Sequence, residues 1–404
     1  MQHSEPPRPQ PTFGEIVLLG ALTAFGAVSI DLYLPSLPAI GTALKADAAT
    51  VQHTMSAFFI GMALGQLVYG PLSDRYGRRP MILTGAAIYV VASLLCAFAP
   101  TIDALVIGRF VQALGCCAGM VVARAVVRDR YATQDSARIF SLLTLVLGVA
   151  PLVAPTLGGW LVQVASWRVI FGALAAFGVA VGIAVALTLP ESRSPATAAK
   201  AHGESIAAAY WDLLKRRRLL GYILAGALNG AVLFTYIAGA PDLVIGTFGF
   251  TVRQFGWLFA AIAVGVIGAS QVNRRLLDRF SSDGILGAAT LIGVAAGVLL
   301  LAAAVTGVGG KWSVLAGLFV ALTSYGFMAA NTLAGALSVD PLRAGSTSAL
   351  VGAASFAAGA IASSIAGAFH DGSAVPMAAV MAASLAGSAA MLFGLALPAG
   401  VLRR

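Results

Sequence analysis

Apolar residues run in long stretches along this chain, broken by short polar intervals. The stretches fall at residues 14–37, 50–71, 80–99, 103–126, 136–163, 167–189, 219–240, 253–272, 284–306, 312–335, 342–368 and 375–398. A helix of about 20 apolar residues spans the hydrocarbon core of a bilayer and satisfies its own backbone. The pattern therefore predicts an all-α integral membrane protein with 12 transmembrane helices. Strands of a membrane barrel would alternate over about 10 residues. The continuous Ala, Leu, Val and Gly runs exclude that reading.

The longest polar break, Pro190–Arg218, divides the runs six and six. The expected organisation is a tail (1–13), a six-helix bundle (14–189), a central loop (190–218), a second six-helix bundle (219–398) and a tail (399–404). Within the loop, Ile206, Tyr210, Leu213 and Leu214 share one helical face. Two readings stand for it, an interfacial helix on the membrane surface and a solvated linker. The Pro-rich start has one basic residue, and no small-residue cleavage pattern follows the first run. That run is expected to remain as the first helix.

Composition agrees with the pattern. Of 404 residues, 59% are hydrophobic and 10% are charged, against about 25% charged in soluble domains. With both termini inside, 19 of the 25 lysines and arginines fall on the inner side and 4 on the outer. Arg109 and Arg124 lie within a helix. This inner bias is how membrane proteins are oriented, and it accounts for the net charge of +9 without a nucleic-acid partner. Cys96, Cys116 and Cys117 sit in apolar runs, and the four histidines are scattered. No metal spacing, catalytic cluster or cofactor motif is visible. A transporter, not an enzyme, is expected.

Asp31 lies deep in the first run. A central Asp costs about 2.5–3.5 kcal/mol on insertion scales, so by default it marks a pathway or relay. Burial favours the neutral acid and an approaching cation favours the carboxylate. A proton and a cationic substrate would then compete for one group. The other reading is a carboxylate near the outer helix end that reaches water, because Pro35 and Pro38 follow. In the fourth run Arg109 and Gln112 are three apart and share a face. Arg109 either faces the bundle interior or snorkels to the outer surface.

The stretch "GPLSDRYGRRP" (Gly70–Pro80) resembles the loop motif of the major facilitator superfamily, through Gly70, Leu72, Asp74, Arg75, Gly77, Arg78 and Arg79. The resemblance implies two six-helix bundles around a central cavity. It also implies a cytoplasmic gate in which Asp74 caps a helix starting near Pro341–Arg343 and Arg78 meets Asp129. Arg109–Gln112–Gly115 resembles the fourth-helix motif of proton-coupled members. Ala154–Gly159, in a helix with Gly148, Pro151, Pro155, Gly158 and Gly159, resembles the antiporter motif of drug exporters. Asp31, Tyr33, Pro35 and Pro38 resemble the first helix of the Bcr/CflA group of drug resistance transporters.

The resemblance implies proton-coupled efflux of small amphipathic drugs, of bicyclomycin, chloramphenicol or multidrug type, by alternating access. The alternative is proton-coupled export of one metabolite such as an amino acid or sugar. The expected setting is the bacterial inner membrane, multi-pass, with both termini cytoplasmic and the chain a monomer. Its partners would be drug, proton and lipid. Asp31, Arg109 and Gln112 would couple proton to substrate. Tyr33, Asn229, Phe234, Tyr236, Tyr325 and Asn331 are candidate cavity walls. Asp242 departs from the group; it is either a surface residue or one that alters substrate preference.

Overall fold

The computed structural model describes residues 12–131, 133–195, 197–198, 206–340 and 343–397. The expected tails 1–13 and 399–404 fall almost wholly outside them, as does part of the central loop. Fourteen α-helices are used below. They are α1 Phe13–Asp31, α2 Leu37–Leu44, α3 Ala48–Tyr76, α4 Arg78–Ala97, α5 Ile102–Arg130, α6 Thr133–Val164, α7 Trp167–Thr188 and α8 Ile206–Leu214. They continue with α9 Arg217–Pro241, α10 Val252–Leu276, α11 Ser282–Thr306, α12 Gly310–Val339, α13 Ala344–Ala368 and α14 Val375–Met391.

Among the described residues, eleven helical stretches are long and apolar enough to span a membrane, with α1 and α2 counted as one. The twelfth expected span is α6, whose apolar part runs Val149–Val164. Several helices exceed their apolar runs, because polar ends carry them beyond the hydrocarbon. Side-chain caps set many of their starts. Thr12 and Glu15 form a capping box on α1, and Thr251 and Gln254 form one on α10. Asp47, Thr101, Ser166 and Ser281 cap α3, α5, α7 and α11.

The surface is apolar. Leu95, Trp160, Leu187, Trp257, Leu299 and Trp312 are exposed, as lipid-facing side chains must be. In the first half α5 packs against α1, α3 and α4, and α7 lies on α4. In the second half α12 packs against α9, α10 and α11, while α9 also meets α13 and α14. The halves meet along α3 with α13 and along α6 with α10. Small residues permit the close approaches. A Cβ on Gly115 would fall 2.6 Å from the Gly85 carbonyl, and one on Gly326 would fall 2.4 Å from that of Val266.

The two ends of the bundle differ. At the end that carries α8, called here the linker end, α8 bridges the halves. Tyr210 donates to the Leu67 carbonyl of α3 at 3.1 Å, and Asp212 lies 3.6 Å from Arg343 at the start of α13. Leu213 is fully buried. The described part of the central loop is thus a packed strap. At the far end the seam is tightly closed. Ser56 and Ser363 hydroxyls are 3.0 Å apart, and Gln52 donates to the Ala238 carbonyl at 3.5 Å.

Candidate functional site

The first helix stops at Asp31. Pro35 has no N–H to continue the ladder, and the chain passes through a 3-10 turn at Leu34–Ser36 before α2. Asp31 is nevertheless buried, only 4% exposed. No hydrogen bond or ion pair joins its carboxylate to another described residue. Tyr236 of α9, in the other half, lies close enough to interact with it electrostatically.

Arg109 is fully buried, which excludes the snorkelling reading. Its guanidinium donates to the Ser29 carbonyl at 3.1 Å and to Gln112 Oε1 at 2.6 Å. It lies over the rings of Phe58 (4.1 Å) and Tyr33 (4.4 Å), a placement that offsets desolvation of the cation. Gln112 donates onward to Ser93 at 2.7 Å. The Ser29 and Tyr89 hydroxyls are 2.7 Å apart, as are Ser93 Oγ and the Tyr89 carbonyl. Tyr33 pairs with Thr54 at 2.8 Å. Arg109 therefore braces the backbone leading to Asp31 and forms no ion pair with it.

The antiporter-like helix touches this place directly. A Cβ on Gly158 would stand 2.1 Å from the Leu32 carbonyl, one residue after Asp31. One on Gly159 would meet Val252 of α10 at 2.9 Å. Pro155 is buried and Pro151 half-buried within α6. The surroundings of Gly148 lie outside the described residues.

At the linker end Arg78 is 5% exposed. It pairs with Asp129 at 2.8 Å and with Asp74 at 2.5 Å, and donates to Ser73 at 2.6 Å. The expected Arg78–Asp129 contact is present. Asp74 faces Arg78 and does not cap α13, which starts without a side-chain cap; Pro341 and Leu342 lie outside the described residues. Gly77 turns the chain at φ +110°, a conformation suited to glycine. Gly70 has open space where a Cβ would stand. Arg75 lies 5.9 Å from the Tyr76 ring, and Arg79 donates to the Ala186 carbonyl at 2.5 Å.

Three contacts had no sequence signal. Glu191 accepts from the backbone N–H groups of Arg78 (2.9 Å) and Arg79 (3.1 Å), and so caps α4 from 113 positions along the chain. Arg193 donates to the Arg75 carbonyl. Asp242 lies 3.3 Å from His370, joining the far ends of α9 and α13. Only the intervening fold brings these pairs together.

The candidate wall residues divide. Tyr236 stacks on Phe259 at 5.7 Å. Phe234 sits in the seam, 4.6 Å from Phe59 and 4.7 Å from Phe356. Tyr325 is half-buried on α12. Asn229 is 1% exposed, and its amide finds no partner among the described residues. Asn331 is placed elsewhere. It donates to Asn273 at 2.7 Å and accepts from Ser282 at 2.9 Å, a neutral clamp among α10, α11 and α12.

The Major Facilitator Superfamily family model matches residues 17–367. An uncharacterized MFS-type transporter, YdgK, of Bacillus subtilis is 36% identical over 70% of this chain and 71% of its own length. A bicyclomycin resistance protein homolog of Haemophilus influenzae is 32% identical over 72% and 73%. A chloramphenicol resistance protein of Pseudomonas aeruginosa is 32% identical over 71% and 67%. The crystal structure of a D-xylose-proton symporter superposes with a TM-score of 0.72 at 15% identity, over 94% of this chain and 96% of that one. That likeness concerns the fold.

Proposed function

We propose that this chain, which belongs to the major facilitator superfamily, exports small amphipathic drugs in exchange for protons. The observation that carries the reading is Asp31. It is a buried carboxylate with no partner among the described residues, set where α1, α6 and α9 of the two halves converge. A group so placed binds either a proton or the cationic part of a substrate, one at a time. Arg109 and Gln112 hold the preceding turn of backbone, so a change of state at Asp31 is passed to α5.

Alternating access follows from the seams. The linker end faces the cytoplasm in this reading, with both termini there and the membrane the bacterial inner one. The chain works as a monomer. The far end is shut by the Ser56–Ser363 and Gln52–Ala238 contacts and by Gly159 against Val252. Opening it requires α6 to leave Val252 of α10, against which Gly159 packs, while Gly158 keeps α6 seated on Leu32 beside Asp31. The Asp74–Arg78–Asp129 cluster steadies the cytoplasmic ends of α3, α4 and α5 through that movement. Residues 14–189 and 219–398 move as two bodies about these contacts.

Relatives whose names carry bicyclomycin and chloramphenicol resistance favour drugs over a single metabolite as the cargo. The test is expression in a drug-sensitive bacterium and a substrate panel on everted membrane vesicles. Drugs of several scaffolds should each collapse part of an imposed pH gradient. A response confined to one amino acid or sugar would replace this reading with the metabolite exporter.

A further inference from the structure

Arg124 has no place in the mechanism above, yet it lies within a membrane-spanning helix. It stands six residues before the end of α5, about 9 Å inside the linker end at about 1.5 Å per residue. Its side chain is exposed, although the protein is dense around its position. Those two facts together place it on an internal, water-accessible cavity. A lipid-facing guanidinium would lack the surrounding protein, and a packed one would lack the open space.

The periodicity of α5 agrees. From Leu114 to Arg128 the positions that reach open space are Leu114, Val121, Arg124 and Arg128, spaced by seven, three and four. They form one helical face. The intervening Val122, Ala123, Ala125, Val126 and Val127 are buried, against the helices α1, α3 and α4 that enclose the rest of α5. The exposed face is the one left toward the centre of the bundle.

Among the described residues its cations have no ion-pair partner. Arg109 is hydrogen-bonded, and Arg130 pairs with Glu15 at 2.6 Å. Asp129, one turn below, is engaged by Arg78. No hydrogen bond or ion pair joins Arg124 to a described residue. Arg128, one turn nearer the linker end, repels it. Two like charges at i and i+4 destabilise a helix face, and an anion between them relieves both. An intramembrane charge held at this cost is a functional site by default.

We propose that Arg124, assisted by Arg128, is an anion-recognising subsite at the cytoplasmic mouth of the central cavity. It takes the carboxylate or a comparable oxygen-rich group of an amphipathic substrate. The forked guanidinium suits such a group, since it offers two parallel charge-assisted hydrogen bonds. Asp31 lies about 27 Å from the cytoplasmic start of α1 by the same rise, so substrate meets Arg124 first. The subsite also bears on closure: shutting the cytoplasmic mouth on a bare Arg124 is unfavourable, and shutting it on an anion-paired one is not. The inference rests on the drug-export reading and names which drugs that site prefers, those with an acidic or oxygen-rich end.

The experiment measures binding of norfloxacin, which carries a carboxylate, and of its methyl ester, which does not. The full-length protein is held in phosphatidylcholine nanodiscs, free of anionic lipid. Wild type should bind the acid about tenfold or more tightly than the ester, the worth of a charge-assisted bond. R124Q should bring the ratio to about one, and R124K should fall between, since the ammonium keeps charge without the fork. In wild type, norfloxacin and not the ester should slow phenylglyoxal labelling of Arg124, a readout that needs no variant. Equal binding of acid and ester by wild type, failure of both to bind, or a ratio that survives in R124Q would overturn the proposal. Drug-driven proton movement with no acid–ester discrimination would sink this inference and leave the export reading standing; discrimination without transport would do the reverse.

Discussion

The Arg109 guanidinium donates to the carbonyl oxygen of Ser29, 3.1 Å away and two residues before Asp31. This bond ties α5 to the end of α1, and it joins the one fully buried arginine among the described residues to the backbone that carries the unpaired carboxylate. Removing the guanidinium leaves that carbonyl and Gln112 Oε1 unpaired in a buried site, at about 1–3 kcal/mol for each group. R109A should therefore reach the membrane at reduced level and transport nothing. R109K keeps the charge but cannot serve Ser29 and Gln112 while stacked on Phe58 and Tyr33. Its transport should fall at least as far as its expression. Drug efflux at matched protein level checks this, and wild-type rates in R109K would contradict it.

Gly158 stands against the Leu32 carbonyl with no space for a methyl group. In G158A the Cβ, 2.1 Å from that oxygen, forces α6 away from α1 at the far end. The variant should fold with α6 displaced toward α10, which Gly159 already touches through Val252, pushing the seam apart at the far end. Spin labels at Thr42 and Arg253, both exposed and on opposite sides of the seam, report the separation. The distance should lengthen in G158A, and unchanged distances would mean that α1 yields instead.

The Arg78 cluster should rank its own variants. Arg78 is 5% exposed, and its partner Asp129 is more enclosed than Asp74. Losing one partner of a buried pair costs about 3–5 kcal/mol; an exposed one costs about 1 kcal/mol or less. Thermal unfolding should place R78Q lowest, D129N next and D74N nearest wild type. D74N as damaging as R78Q would point to a contact made only in another conformation.

Glu191 gives the linker end a pH dependence. Burial pushes its carboxyl up, but the backbone N–H groups of Arg193, Arg78, Arg79 and Ser192 hold it below the ordinary value. A carboxylate depressed in the folded state adds stability above its unfolded pKa of about 4.3, and that stability is lost as pH falls through the lower folded value. E191Q should unfold at lower temperature than wild type at pH 7, by the worth of a helix cap, about 1 kcal/mol. The two should converge only as pH falls through the lower folded value, below which both side chains are uncharged. A gap that persisted there would show that the amide fails for reasons other than charge.

The spans were legible because about 20 apolar residues admit few alternatives in a chain so poor in charge. Asp31 and Arg109 stood out for the same reason, as charges where charge is expensive. Other features carried no periodic signal. The link from Glu191 to Arg78, and that from His370 to Asp242, exist only once the chain is folded. Asn331 has the look of a cavity residue in its run, yet Asn273 and Ser282 arrive from two other helices to engage it. Asp74 found its partner four residues away, a contact as local as any helix offers.

The most direct test of the account is proton release on drug addition, in liposomes that hold the purified protein, an imposed pH gradient and a trapped pH dye. Wild type should move protons when a cationic or zwitterionic drug is added. D31N, reconstituted in equal amount, should move none. Proton movement by D31N at the wild-type rate would contradict the account and leave Asp31 a packing residue at the end of α1.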